Sequence, residues 1–443
     1  MEKTDTSGLE RYRRLVELGW DLELLRGSRI MVVGAGALGN EIIKNLSLAG
    51  VGCLLVIDLD RIESHNLTRS VLFRGSDVGR GKAETAAQAA REIEPMLDVR
   101  WFDSPIQHTL GLGVFRMVDV VLGGVDNLQT RRDLNRACML TDTPFIDGGL
   151  FYLDGDVRIF LPPFPACFDC TLTQDERDEG WRRWSCLNLA TDGEPTGGPT
   201  APTVASMVGG LQAQLALKYL HRNLSEGRRV TVPNGVRIRF NGFADEYERW
   251  DLNRDSQCPT HLTTAPIPEE AITAIPYGNE MPAAQLLAIA RDEVGPDAYV
   301  ELGFDVVHTV VCIQCGSSDT PLKRHGSLTM AEAVCTACTP ATCPACGHPT
   351  FETIATRPDL VFPDRVDCLS CFEAVPLVMR DAGTLNRIEP DSPALGFSLA
   401  ELGVPMMEIL EAKSFDAGES VFLQLNGDAD RVFGYHESQA SGV

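Results

Sequence analysis

The chain has 443 residues, 44% of them hydrophobic, and a formal net charge of −23. That length holds two or three domains and a large core. The charge argues against nucleic acid as a partner and suits a basic protein partner. The start, MEKTDTSGLERYRR, has no apolar signal-peptide stretch, and no apolar run approaches membrane-spanning length. A cytoplasmic protein with no membrane segment is expected.

Taken in chain order, Glu10–Gly19 reads as a helix carrying Arg11, Tyr12, Arg13 and Arg14. Arg29–Asp60 then reads strand, glycine turn, helix, strand. RIMVV is β-branched and apolar enough for a buried parallel strand. Gly34, Gly36 and Gly39 form G-x-G-x-x-G directly after it, and the strand Gly52–Ile57 ends at Asp58. Glycines let the backbone approach phosphates, a helix N-terminus favours the anion, and Asp58 is placed to bind ribose hydroxyls. Asn66 and Arg69 follow three residues apart, where an amide and a guanidinium can hold phosphate oxygens. Lys82 opens the next helix, Lys82–Ile93, a poor place for a cation unless an anion lies close. Asp126 follows the strand Val118–Gly123, near the phosphates, and is a candidate to hold Mg²⁺. Pro144–Gly149 and Asp156–Leu161 read as two further strands, and Thr203–Leu220 as an amphipathic helix.

These motifs, in this order and spacing, resemble the ThiF/MoeB and ubiquitin-activating enzyme superfamily over roughly residues 10–262. The resemblance rests on RYRR at 11–14, GAGALG, Asp58, N-L-T-R with Asn66 and Arg69, G-x-G-K ending at Lys82, and Val125-Asp126-Asn127. It implies an α/β fold, a Rossmann-like ThiF-type adenylation domain with a mostly parallel sheet. It also implies ATP and Mg²⁺, and adenylation of the C-terminal carboxylate of a ubiquitin-like protein. Asp58, Asn66, Arg69, Lys82 and Asp126 take the adenylation roles. Arg14 matches the arginine usually given to the other subunit, so a homodimer is implied. Cys186 lies in the polar loop Thr171–Pro202 and matches the position of the thioester cysteine, with a conjugating enzyme as the next partner. A sulfur-carrier activator without a thioester step and a non-catalytic nucleotide-binding zinc scaffold are the alternatives.

Ten of the fourteen cysteines fall in five C-x-x-C pairs. This is metal-ligand spacing in a reducing compartment. Cys167 and Cys170 form the first pair, and Cys258 and His261 follow at C-x-x-H spacing. In the resembling family two cysteine pairs at these places hold a structural Zn²⁺. Four further pairs, Cys312/Cys315, Cys335/Cys338, Cys343/Cys346 and Cys368/Cys371, suit two Cys₄ sites in a zinc-ribbon-like region, and spacing leaves open which pairs share a metal. The expected organisation is an adenylation domain over 1–265, a linker and helix over 266–310, a zinc-binding region over 311–375 and a small α/β region over 376–443. Helix is expected at Ser398–Leu402 and strand at Ser420–Leu425.

Overall fold

The computed structural model describes residues 6–177, 199–223, 230–324, 328, 330–351, 365–415, 418 and 420–434. Cys186 lies outside them. The chain divides into two compact units, one of Met1–Thr173, Thr196–Pro268 and Ala429–Val443, the other of Gln174–Pro195 and Glu269–Asp428.

The first unit runs α1 (Thr6–Glu17), α2 (Leu22–Gly27), β1 (Arg29–Val33), α3 (Ala37–Ala49), β2 (Cys53–Ile57), α4 (Lys82–Ile93) and β3 (Asp98–Phe102). Then come α5 (Ile106–Thr109), α6 (Leu112–Met117), β4 (Val120–Gly123), α7 (Leu128–Leu140), β5 (Phe145–Phe151) and β6 (Asp154–Phe160). Next are α8 (Pro202–Leu220), β7 (Val236–Asn241), β8 (Glu246–Asp251) and α9 (Pro259–Thr263), and the short helix Ala429–Phe433 from the far end of the chain completes the unit. The strands form one sheet in the order β3-β2-β1-β4-β5-β6-β7-β8. From β3 to β5 the pairs are parallel, and β6, β7 and β8 add on antiparallel. Covered on both faces, β2 is buried at every residue and β1 at all but its first, which is why both read as continuous apolar runs. β8 is exposed at every position. Chain order reverses between β1 and β4, and the carboxyl ends of strands at such a switch point are the usual ligand edge of a doubly wound sheet.

The second unit holds β9 (Ile272–Ile275), α10 (Ala283–Val294), β10 (Ala298–Val311), β11 (Ser318–Asp319), β12 (Lys323–Arg324) and α11 (Met330–Ala333). After these come β13 (Arg365–Asp367), β14 (Ala374–Pro376), β15 (Asp381–Ile388), β16 (Ile409–Ser414) and β17 (Ser420–Leu425). A sheet runs β11-β10-β16-β17-β9, with β12 and β15 also pairing β10. α10 buries Leu286, Leu287 and Ala290 in the same apolar core as Val300, Leu410 and Leu423. The segment 266–310, expected as a linker and helix, and the segment 376–443, expected as a separate α/β region, therefore give strands to one sheet. Their pairings join residues a hundred or more positions apart in places, such as Ala298 with Ser414, and no local pattern announces that. The helix expected at Ser398–Leu402 is instead a bridge and turn. Ser398 pairs with Pro282, and the Glu401 carboxylate accepts from the Ser398 amide and hydroxyl at 2.7 and 3.0 Å, closing the turn locally.

Candidate functional site

The glycine turn after β1 packs too tightly for side chains at two points. Gly34 has φ +94°, and a Cβ there would lie 2.5 Å from the Gly124 carbonyl oxygen after β4. A Cβ on Gly39 would lie 1.9 Å from the Gly34 carbonyl oxygen, so α3 sits directly on the turn. Gly36 caps α3 with no side-chain bond and faces open space. The start of this thirteen-residue helix thus has room at Gly36 for a group to approach, as a phosphate site requires.

Asp58 leaves β2 beside this turn. Its Oδ2 accepts from the Ala35 amide at 2.6 Å and its Oδ1 from the Asp60 amide at 2.8 Å. Burial pushes its carboxyl up to about 6, against Lys82 and the two backbone donors, which pull it down. The ionised carboxylate has further lone pairs for two ribose hydroxyls, whereas the protonated form gives one of them up. Nucleotide affinity is therefore expected to weaken as pH falls through about 6. The ionised form is the costly one in the folded chain, so Asp58 itself favours folding below its unfolded value and loses that contribution as pH rises through about 6. Calorimetric titration of ATP between pH 5 and 8 checks this, and Asp58→Asn should flatten the profile.

Lys82 lies at the first position of α4, mostly buried, with Nζ 2.7 Å from Asp60 Oδ2. The anion that a helix-start lysine calls for is thus supplied within the chain, and Lys82 is aimed by it. Asn66 is buried in a 3₁₀ turn, its Oδ1 accepting from the Glu63 amide at 2.9 Å. Arg69 ends that turn and donates to the His65 carbonyl at 3.2 Å. Asn40, which the sequence reading passed over, ties this segment to the glycine turn. Its Nδ2 donates to the Ala35 and Gly36 carbonyls at 2.7 and 3.0 Å, and its Oδ1 accepts from the Leu72 amide at 2.8 Å. Asp126 is exposed just ahead of α7, whose cap is Asn127, accepting from the Thr130 amide at 2.7 Å.

Arg14 stands apart from these groups. Tyr12 donates to Glu94 and Arg11 pairs with Glu94 at 3.3 Å, which docks α1 on the C-terminal end of α4. That end lies roughly 18 Å along the helix from Lys82. Arg13 pairs with Glu10 and Glu17, while Arg14 is exposed with no ion pair among the described residues.

Three four-residue clusters converge, each with its ligand atoms within 4.8 Å of one another. In the first, the Cys167 sulfur lies 3.8 Å from Cys170 and 3.6 Å from Cys258, and Cys170 lies 3.4 Å from His261 Nδ1. His261 Nε2 is 3.3 Å from the Phe164 carbonyl, an outer partner that fixes the ring. The second joins Cys312 to Cys338 at 3.8 Å and Cys315 to Cys335 at 3.7 Å. The third joins Cys343 to Cys371 at 3.6 Å and Cys346 to Cys368 at 3.5 Å. The downstream pairs thus combine in sequence order, first with second and third with fourth. Four thiolates about 2.3 Å from one tetrahedral ion would stand roughly 3.8 Å apart, so the donor sets fit Zn²⁺.

The family model described as "ThiF family" matches residues 12–260. The chain belongs to the ThiF family. A NEDD8-activating enzyme E1 catalytic subunit of Caenorhabditis elegans is 38% identical over 165 residues, 34% of this chain and 38% of that protein. A sulfur carrier protein adenylyltransferase of Thermus thermophilus is 28% identical over 260 residues, 57% of this chain and 90% of that protein. Among solved structures, E. coli MccB with MccA aligns with a TM-score of 0.45 at 20% identity, covering 56% of this chain and 73% of that chain. The chain spans under half the length of several relatives it matches, including 38% of the worm enzyme. The stretch matched by the family model holds all eight strands of the mixed sheet described above. Among the described residues no helix is long and apolar enough to cross a membrane.

Proposed function

We propose that the chain is a homodimeric, ATP-dependent activating enzyme for a ubiquitin-like protein. The observation that carries this reading is the convergence of the open helix N-terminus at Gly36, Asp58, Lys82 and Asp126 on one sheet edge. ATP lies across the glycine turn, with Asp58 on the ribose and Asn66 and Arg69 on the phosphates. A carboxylate oxygen of the partner's last residue attacks the α-phosphorus. The new O–P bond forms as the bond to pyrophosphate breaks, and the electron pair leaves with pyrophosphate. Lys82 and Arg69 stabilise the charge that develops, and catalysis is mainly positioning and electrostatics. Asp126 would hold Mg²⁺, which when bound neutralises phosphate charge. Arg14, seated far from its own Lys82, is free for the site of a second copy.

Tyr247 of β8 and Met207 of α8, both exposed and facing the same side of the sheet with Phe240, give a small apolar surface suited to a protein partner. Zn²⁺ in the three clusters would act as a structural staple. Cys186 then attacks the acyl carbon as a thiolate, AMP leaves, and the thioester passes to a conjugating enzyme. The relative covered over 90% of its own length is a sulfur carrier protein adenylyltransferase, which favours a second reading without the thioester.

Cys186→Ala separates the two. It is expected to keep pyrophosphate exchange and lose a thiol-sensitive adduct with the partner on a non-reducing gel. An adduct that survives Cys186→Ala places the nucleophile elsewhere, and a thiocarboxylate product with no adduct favours the sulfur-carrier reading.

A further inference from the structure

The five C-x-x-C loops differ in one respect. In four of them both residues between the cysteines are exposed: Ile313 and Gln314, Thr336 and Ala337, Pro344 and Ala345, Leu369 and Ser370. In the first, Phe168 and Asp169 are buried, at 1% and 2% exposure. A loop serving only to hold a metal has no need to bury a carboxylate, which is costly unless paired.

The pairing partner is α7. Arg132 Nε and Nη2 lie 3.2 and 3.4 Å from the two oxygens of Asp169. One turn along, Asn135 Oδ1 accepts from the Phe168 amide at 2.9 Å. Thr260, between Cys258 and His261, donates to Asp169 Oδ2 at 2.5 Å. Asp169 thus joins both halves of the metal cluster to one face of α7. At the start of the same helix, Arg131 donates to the Val125 carbonyl at 2.6 Å and to Asp147 at 3.0 Å. Asp126 stands between Val125 and the cap Asn127, so its backbone is held from both sides by a helix that is itself fastened to the metal cluster.

We infer that the Cys167–Cys170–Cys258–His261 cluster positions Asp126 through the buried Arg132–Asp169 pair, making Arg132 and Asp169 positioning residues for magnesium-nucleotide binding. This rests on the reading of Asp126 as the Mg²⁺-holding residue. Removing one charge leaves the other buried and unpaired, and α7 then shifts to relieve it.

The test is ATP binding to the full-length protein by calorimetry across Mg²⁺ concentrations, with no protein partner. Zinc content and thermal unfolding are measured on the same samples. Asp169→Asn keeps the acceptor for Thr260 and loses the charge. It is expected to retain its zinc and raise the half-saturating Mg²⁺ about tenfold, within the usual span of coupling between sites. ATP binding without added Mg²⁺ should be unchanged. Arg132→Gln should match it, and the double variant should be no worse than either single. Arg132→Lys, which keeps the charge, should be milder, and it carries the test if Asp169→Asn fails to fold. An unchanged Mg²⁺ requirement in zinc-replete variants overturns the coupling, as does simple additivity in the double variant. A wild type whose ATP binding ignores Mg²⁺ overturns the Asp126 reading and the inference with it.

Discussion

Lys82→Ala and Asp126→Ala are each expected to lower ATP–pyrophosphate exchange by roughly two or more orders of magnitude, the loss that follows removal of a strong electrostatic contact from a transition state. For Lys82 the geometry adds a reason. Its side chain is mostly buried and is held 2.7 Å from Asp60, so alanine removes the cation and leaves Asp60 facing the incoming phosphates. Asp60→Asn should therefore be milder than Lys82→Ala. Arg14→Ala should fail as well, but by a different route. Mixing Arg14→Ala with Asp126→Ala should restore part of the exchange, because a mixed dimer has one site with both groups intact. Exchange unaffected by Lys82→Ala would contradict the assignment, and absence of rescue would contradict sharing between copies.

Loss of metal from the third cluster is expected to unfold the region it holds. Among the described residues, the core around Cys343, Cys346, Cys368 and Cys371 consists of Ala333, Val334, Val375 and Leu377 together with the buried ligands Cys343 and Cys368, with Phe351 and Met379 packed against it. The apolar side chains described there offset little of the entropy of ordering the segment, whereas a structural zinc contributes on the order of 10 kcal/mol. Metal analysis should find about three zinc ions per chain, one for each tetrahedral set. Cys343→Ser should remove one, expose the Val334–Leu377 region to hydrogen exchange, and leave nucleotide binding by the first unit intact. A protein that stays fully protected after chelation of all zinc would show that these clusters do not hold the fold.

Most of the first unit was legible because its signals are local. β1 and β2 are apolar runs, Gly34 through Gly39 follow at once, and Lys82–Ile93 is the helix that its pattern describes. The site residues lie at the ends of those elements, so strand and helix boundaries nearly fix their positions. What holds them was not legible, because it is made across the fold. Asn40 reaches from α3 to residue 72, and Arg132 reaches from α7 into the Cys167–Cys170 loop. Asp60 was visible two residues after Asp58 but had no motif to mark it. In the second unit, cysteine spacing declared metal ligands without declaring partners, since spacing alone allows several combinations. The strands β9 and β17, parallel neighbours in the sheet, are about 150 residues apart, so the sheet that unites residues 272–425 left no mark in either segment alone.

The most direct measurement is exchange of labelled pyrophosphate into ATP by the purified protein, with and without a ubiquitin-like protein ending in glycine. The partner is supplied once with a free C-terminal carboxylate and once amidated. Adenylation of that carboxylate predicts exchange with the free terminus, little without a partner, and none with the amide. Equal exchange under all three conditions, or none with any glycine-terminated partner while ATP still binds, would contradict it.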